Sequence, residues 1–245
     1  MSDILELFGQ STRDMHQNWT SLLAEQPCPF LKRKCLKIRK SQPDISIGSC
    51  SVVYGKAKAP IIICPHRFLE RRQVFVDCLH LLTSHEPGNE LHVVSEVSVP
   101  GGSVDYFLVS AEGTKVRDFV GIELQTMDTT GTVWPARQAF LKSVGVDLAR
   151  EEREDYKTYG INWKMTAKTI LIQLHHKVET FEAVNKHIVL VIQDFLYGYL
   201  RGNFRFSHVG SSKIGDPLHI HAYSFENQED DSMRIKLGGR FSTDA

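Results

Sequence analysis

The segment HIVLVIQ, residues 187–193, restricts the fold of this chain more than any other feature of its sequence. Its five central residues are all aliphatic, so neither face of a strand built from them can lie against water. The run therefore predicts a strand that is fully buried inside a sheet. Beyond it, DFLYGYL (194–200) favours a helix, and DPLHIHAYSF (216–225) alternates as a strand does.

The segments before this run predict the rest of the sheet. Three β-like stretches, 90–99, 103–110 and 118–126, are joined by PGG and AEGT, whose composition favours antiparallel hairpins. An apolar stripe from about residue 66 to 84 predicts a helix before them, and a second stripe with Asn162 as N-cap predicts a long helix after them. This order predicts an α/β fold, a mixed β-sheet flanked by helices.

The composition changes near residue 65, which divides the chain into a module over 1–65 and a core over 66–245. Residues 1 to about 26 carry apolar residues at helical intervals and predict an amphipathic helix, with Gly9 and Ser11 as the positions where it could break. Residues 27–65 are rich in Cys, Pro, Gly and bases, with the short β-type runs SCSVVYG and PIIIC. This part predicts a small, irregular, cysteine-rich module.

Composition places the chain among soluble globular proteins, with 42% hydrophobic and 24% charged residues. No apolar run approaches the roughly 20 residues that span a bilayer, so a membrane protein is not expected. The first residues lack the basic and apolar segments of a secretory signal. Five cysteines, an odd number, then favour reduced thiols or metal ligands in the cytoplasm over disulfides.

The formal net charge is zero, but the charge is unevenly placed. Residues 28–75 hold 11 Lys or Arg against two acids, a net of +9. Six of these bases lie in KRKCLKIRK: Lys32, Arg33, Lys34, Lys37, Arg39 and Lys40. Such a cluster suits binding to the phosphates of a nucleic acid, although a solvated basic face is the plain alternative.

A carboxylate interrupts the apolar strand DFVGIELQT, where Glu123 is followed by Gln125 on the same face. Hairpin pairing with the preceding strand predicts that Asp105 lies close to Glu123. Two carboxylates and the carbonyl oxygen of Leu124 make a hard oxygen site suited to phosphate-bound Mg²⁺, which can activate water. The alternative is that Glu123 is an acid at a strand edge facing solvent.

The order of these acids resembles the core of the PD-(D/E)xK nucleases, with Gln125 where that superfamily usually has Lys. Glu96, nine residues before Asp105, resembles the additional acid that many of those nucleases carry. The phrases CPFL, GSCSVV, IICPHRFL and IELQTMD, taken together and in this order, resemble the NotI family of type II restriction endonucleases. The resemblance covers about residues 27–200 and has no counterpart after about Gly202.

This resemblance implies a restriction-endonuclease-like core and a DNA endonuclease, usually a homodimer, that cuts both strands with Mg²⁺. Its motifs place the active site at Asp105, Glu123 and Gln125. The resemblance also implies a structural iron site with four ligands: Cys28, Cys35, Cys50 and Cys64. The spacing of these cysteines does not itself establish a metal site, and thiolates accept Zn²⁺ as readily as iron. Cys78, inside the predicted helix, is expected in the core.

The amide at position 125 leaves the activation of water incomplete. A lysine there would add positive charge beside the attacking water, whereas Gln125 can only orient that water. We hypothesise that a lysine of the long helix, Lys164 or Lys168, reaches the scissile phosphate. The alternative is that both are solvated helix lysines.

The chain contains two closely spaced pairs of histidines in predicted regular structure. His219 and His221 share one face of a predicted strand and could bind a metal, but a surface pair is the favoured interpretation. His175 and His176 are adjacent on a helix and so point in different directions, and no role is predicted for them.

These features predict a cytoplasmic type II restriction endonuclease acting on double-stranded DNA, with a cognate DNA methyltransferase encoded nearby to protect the host. One alternative is a structure-specific repair nuclease with the same core. Another is a metal-stabilised DNA-binding protein without catalysis, which would bind DNA with a steep salt dependence.

Overall fold

The computed structural model of the protein describes residues 3–14, 16–147, 159–228 and 232–244. Over these residues the strands are β1 (Ile4–Leu7), β2 (Gln10–Ser11), β3 (Pro27–Cys28), β4 (Arg33–Lys34), β5 (Ile38–Arg39), β6 (Gln42–Ser46), β7 (Ser49–Tyr54), β8 (Ala59–Ile62), β9 (Glu90–Val99), β10 (Gly102–Glu112), β11 (Lys115–Leu124), β12 (Thr129–Thr130), β13 (Gly160–Ile161), β14 (His187–Gln193), β15 (Gly210–Ser211), β16 (Leu218–Asn227) and β17 (Met233–Thr243). The α-helices are α1 (Trp19–Glu25), α2 (Gln73–Cys78), α3 (Trp134–Ser143), α4 (Trp163–Ala183) and α5 (Asp194–Asn203), with 3₁₀ segments at Pro65–Arg72 and Leu79–Leu81. No helix among these residues is long and apolar enough to cross a membrane.

The chain forms two compact units, each assembled from several segments. The first comprises Met1–Arg71, Thr126–Asn162 and Phe225–Arg234. The second comprises Arg72–Gln125, Trp163–Ser224 and Ile235–Ala245. These two units, which are defined by compactness, have different boundaries from the two parts predicted from the sequence. The sequence-based division into 1–65 and 66–245 stays a prediction.

A seven-stranded mixed sheet dominates the second unit, in the order β15-β17-β16-β14-β11-β10-β9. The meander β9-β10-β11 is antiparallel, as its hairpin turns predict, whereas β14 runs parallel to both β11 and β16. Every residue of β14 is buried, which confirms the interpretation of its apolar run. Helices α4 and α5 both contact this strand, so the mixed α/β class is confirmed.

The first unit contains a four-stranded sheet in the order β2-β1-β7-β8. The amphipathic helix predicted from residue 1 to about 26 is therefore wrong over its first half. β1 pairs with β7 and is buried along its whole length, and Phe8 and Gly9 turn the chain with φ of 51° and 74°. Among the described residues of this stretch only α1 is helical, and it begins after Asn18, whose side chain accepts a hydrogen bond from Ser21 N at 3.0 Å.

The single helix predicted from about residue 66 to 84 is also wrong, because two 3₁₀ segments flank a short α2. Arg71 and Arg72 have φ of 52° and 57°, a left-handed conformation through which a right-handed helix cannot continue. The sequence interpretation missed α3 and β17. In β17 the alternation is interrupted by Gly238 and Gly239, which weakens a strand pattern.

Candidate active site and cysteine cluster

Two carboxylates meet where β10 and β11 pair in the large sheet. The register sets Tyr106 opposite Ile122, which places Asp105 across from Glu123. The backbone N–H of Leu124 donates to Asp105 Oδ2 at 2.8 Å, so the Asp105 carboxylate is fixed against the strand that carries Glu123. Asp105 is half-buried and Glu123 is buried. The two acids therefore form one partly desolvated site, and Glu123 is not a solvent-facing acid.

A third acid, Glu96, lies at the same level on the neighbouring strand. The β9–β10 register pairs Val97 with Val104 and Ser95 with Tyr106, so Glu96 is opposite Asp105. Its φ of 56° is left-handed, which is uncommon for a residue other than glycine and costs on the order of 1 kcal/mol. Three acids thus stand in line across adjacent strands, with the exposed Glu96 at the outer end.

A buried lysine that the sequence interpretation did not select completes this site. Lys177 Nζ lies 2.5 Å from Glu123 Oε1 and donates to the carbonyl oxygen of Ser103 at 2.6 Å. The residue is 4% exposed, whereas Lys164 and Lys168 are exposed on the same helix, α4. Lysines are rarely buried without a partner, so the ion pair accounts for this placement.

A sequence signal for Lys177 did exist. The apolar stripe of α4 includes Ile170 and Leu174, and position 177 follows them at the helical spacings of seven and three residues. A lysine on the buried stripe of a helix requires a buried acceptor or acidic partner for its ammonium group. The sequence could not name that partner, because the packing of α4 on the sheet determines it.

The electrostatics of the site favour a bound cation. Burial and, to a smaller extent, the nearby Asp105 carboxylate together raise the pKa of Glu123 to about 7, against the opposing hydrogen bond and charge of Lys177. Adding a divalent cation would stabilise both ionised carboxylates. Carboxylate and carbonyl oxygens are the donors that Mg²⁺ prefers, so Asp105, Glu123 and the carbonyl of Leu124 fit this ion chemically.

Gln125 follows directly after β11 and is half-buried. Its backbone N–H donates to the carbonyl oxygen of Val191 at 2.9 Å, so pairing with β14 continues past the end of the assigned strand. The alternation of side chains then keeps Gln125 on the face of Glu123. This backbone pairing fixes the backbone of Gln125 two residues beyond Glu123.

All four cysteines of the predicted metal module line one small cavity in the first unit. Its remaining lining residues are Phe8, Pro27, Pro29, Lys37, Gly48 and Ser49. The four thiols belong to four separate stretches of chain, and each is buried. Four sulfur donors around one cavity suit Zn²⁺ or iron chemically. Among the described residues, no three of these sulfur atoms lie within 4.8 Å of one another, so binding would require them to move closer.

Backbone donors surround these sulfur atoms. The N–H groups of Leu31 and Phe30 donate toward Cys28, and that of His66 donates toward Cys64; all three contacts lower the pKa of the thiol that accepts them. Burial is the larger effect and raises the pKa of Cys28, Cys50 and Cys64, and neighbouring thiols raise it further. Thiolates in such a cluster therefore need a cation to be stable.

The basic cluster lies next to this cavity in the chain. Lys32, Arg33, Lys34 and Lys40 are exposed, so four of its six bases can contact an anion. Lys37 lines the thiol cavity and donates to the carbonyl of Ile63 at 2.9 Å, and Arg39 lies 4.6 Å from the centre of the Trp134 ring. The cluster therefore combines phosphate-binding chemistry at the surface with two structural bases.

His219 and His221 are not the surface pair that the sequence favoured. Both are fully buried on β16, and within the described part of the chain their Nε2 atoms lack a hydrogen-bond partner. Burial lowers the pKa of His219 to about 4 and that of His221 to about 3, with nearby basic groups adding to each shift. Cys78 is fully buried, as predicted, and its Sγ lies 3.8 Å from His221 Nδ1.

Acid is expected to destabilise the fold through these histidines. Their folded-state pKa values lie below the unfolded value, so the unfolded chain binds more protons as the pH falls from about 6 to about 4, and each neutral histidine then costs about 1.4 kcal/mol of stability per pH unit. Urea unfolding at several pH values measures this slope. His221→Phe is expected to reduce it by about 1.4 kcal/mol per pH unit; an unchanged slope would contradict a buried neutral His221.

The model of the family described as restriction endonuclease NotI matches residues 16–214 of the chain. The matched range extends beyond the stretch from about 27 to 200 over which the resemblance was predicted. It contains the three aligned acids, the buried lysine and all four cysteines of the cavity. No curated protein matches the chain at a significant level.

Proposed function

Because the chain belongs to the NotI restriction endonuclease family, we propose that it is a type II enzyme that cuts double-stranded DNA at specific sites with Mg²⁺. The observation that carries this proposal is the contact of Asp105 with the strand of Glu123, at 2.8 Å, inside a partly buried acidic site. A site of this kind supports phosphodiester hydrolysis.

Each residue of the site has a distinct part in this chemistry. Asp105 and Glu123 hold the cation, which when bound supplies Lewis acidity at the scissile phosphate and lowers the pKa of water. Gln125 orients the attacking water through its amide, which can donate or accept a hydrogen bond. Glu96 lies at the exposed end of the row of three acids. It adds a third carboxylate to the site and helps to orient the attacking water.

Lys177 supplies the positive charge that Gln125 cannot. Its ammonium is held 2.5 Å from Glu123 at the edge of the site. Its flexible four-carbon stem allows a shift from the carboxylate toward the phosphate. There the protonated amine stabilises the negative charge that develops on the phosphoryl oxygens. This role revises the hypothesis of a helix lysine, with Lys177 in place of Lys164 or Lys168.

DNA binding is assigned to the exposed bases of the cluster around the cysteine cavity. Each phosphate that they neutralise releases counterions, so affinity is expected to fall steeply with salt. We further propose that the enzyme acts in the cytoplasm as a homodimer, since two active sites are needed to cut both strands together. A cognate methyltransferase encoded nearby would protect the host's own sites.

The purified protein is expected to carry about one iron or zinc ion per chain at the four cysteines. Elemental analysis measures this, and a colourless protein with stoichiometric zinc would exclude iron. Cys50→Ser should lose the ion and lower the stability, because binding energy at a structural site contributes to folding. Cys78→Ala, which removes a buried thiol outside the cavity, is the matched control and should keep the metal. Equal metal content in the two variants would contradict the assignment.

Digestion of mixed plasmid and genomic DNA tests the proposed function. Discrete fragments that require Mg²⁺ are the expected result. A structure-specific repair nuclease would instead cut branched or damaged DNA without a discrete pattern. A non-catalytic binding protein would bind DNA with a steep salt dependence and hydrolyse none. Either outcome with folded protein would overturn the restriction activity.

A further inference from the structure

One group of metal-ligating side chains lies outside both sites described above. His175, His176 and Glu179 stand together on α4, and one ligand atom from each lies within 4.8 Å of the others. His175 Nε2 is 3.9 Å from Glu179 Oε1, and His176 Nδ1 is 3.7 Å from Glu179 Oε2. We propose that these three residues bind a divalent transition-metal ion such as Zn²⁺ or Ni²⁺.

The helix geometry explains how adjacent histidines can share one ion. Glu179 is four residues after His175 and three after His176, and both spacings bring side chains together on a helix surface. The two imidazole rings lie 5.0 Å apart with an angle of 42° between their planes. The sequence analysis predicted no role for these histidines, because adjacent side chains on a helix point in different directions. It did not consider that Glu179 lies near both of them.

The donor set identifies the class of ion. Two imidazole nitrogens and one carboxylate suit borderline ions such as Zn²⁺, Ni²⁺ and Cu²⁺, whereas Mg²⁺ prefers oxygen and soft ions prefer thiolate. The site therefore differs in selectivity from the carboxylate row and from the cysteine cavity. All three side chains are at least 60% exposed, so an ion can reach them and keep water in its remaining positions.

The backbone beneath the three ligands is held in place by the turn between β9 and β10. Thr180 Oγ1, one residue beyond Glu179, donates to the carbonyl of Pro100 at 3.1 Å. Gly101 has φ of 91°, and a Cβ there would lie 2.7 Å from the Cβ of His176. This turn of α4 is therefore closely packed, which reduces the entropy that an ion must overcome in ordering its ligands.

The site is separate from the proposed cleavage chemistry, although it shares a helical turn with it. Lys177 points to the buried side of α4 and contacts Glu123, whereas the two histidines before it are exposed on the solvent side. Binding of an ion to the folded helix stabilises it by mass action, so an effect on stability is expected even without DNA.

Isothermal titration calorimetry with Ni²⁺ tests this proposal without any measurement of cleavage. The protein is used as purified, with the metal of the four cysteines in place. Removing a ligand by His175→Ala, His176→Ala or Glu179→Gln is expected to weaken Ni²⁺ binding by at least about tenfold. Glu182→Gln, an exposed acid on the same helix, is the matched control and should bind Ni²⁺ as the wild-type protein does.

Thermal unfolding gives a second readout. Ni²⁺ should raise the Tm of the wild-type protein and of Glu182→Gln, and it should leave the Tm of the triple variant of His175, His176 and Glu179 unchanged. Equal affinity in all variants, or an equal rise in Tm, would show that Ni²⁺ binds elsewhere and would overturn the site. Because neither readout involves DNA, this result is independent of the proposed nuclease activity.

Discussion

Glu123→Gln is expected to lower the rate of DNA cleavage by at least about a thousandfold while DNA binding is retained. The change removes a negative charge from the site that holds the cation and leaves the size of the side chain nearly unchanged. It also removes the buried carboxylate that pairs with Lys177. Single-turnover cleavage of plasmid, together with DNA binding in the absence of Mg²⁺, separates the two effects.

Glu90→Gln is the matched control for this experiment, because Glu90 is an exposed acid of the same sheet. It should cleave at the wild-type rate. A Glu123→Gln rate within tenfold of the wild-type rate would contradict the assignment of the site. A variant that fails to fold would lose both cleavage and DNA binding. The circular dichroism spectrum of each variant identifies such a failure.

The same carboxylate predicts how activity depends on pH. The pKa of Glu123 is raised to about 7, so this carboxyl gains a proton as the pH falls through that value. The protonated acid binds a cation poorly, so the concentration of Mg²⁺ needed for half-maximal cleavage should rise below about pH 7. Titration of cleavage with Mg²⁺ at several pH values measures this. A requirement that does not change with pH would contradict a cation bound by Glu123.

Lys177→Met is expected to lower the cleavage rate by about a hundredfold or more. Methionine keeps most of the apolar stem but removes the ammonium, so the developing phosphate charge loses its partner. Lys164→Ala and Lys168→Ala, on the exposed face of the same helix, are the controls and should cleave normally. The measurement is the single-turnover rate at saturating Mg²⁺.

A purely structural role for Lys177 would give a different result. Removing it leaves Glu123 buried without its charge partner, which costs roughly 3–5 kcal/mol of stability in comparable buried pairs. A structural defect would therefore lower the folded fraction and leave the rate per folded molecule intact. Rescue of that rate by Lys177→Arg, together with a shifted pH profile in Lys177→Met, would support catalysis. A normal rate per folded Lys177→Met molecule would exclude it.

The strands of the large sheet were the most predictable part of the fold. Local patterns determine them: β14 is aliphatic throughout its centre, and the PGG and AEGT turns separate the strands of the meander. The strands at residues 4–11 were predicted as helix because apolar residues at positions 4, 5, 7 and 8 satisfy a helical period as well as a buried strand. Only pairing with β7 distinguishes the two.

The site residues also include some that the sequence predicts and others that it does not. Asp105 and Glu123 could be paired from the sequence, because antiparallel pairing with short turns fixes which residues face each other. Lys177 could not, since its contact with Glu123 spans 54 residues and depends on how α4 packs on the sheet. The exposure of His219 and His221 was predicted wrongly. The alternation of a strand shows that two residues share one face, but it does not show whether other elements cover that face.

The buried central strand, the paired acids and the motifs of the family follow from the amino-acid sequence, because each depends on neighbours in the chain or on a single hairpin. Only the folded molecule shows which lysine contacts Glu123, that cysteines between positions 28 and 64 line one cavity, and that two histidines are buried and neutral. These features depend on the packing of segments far apart in the chain. Hydrophobic burial sets that packing for the molecule as a whole, and a local pattern does not encode it.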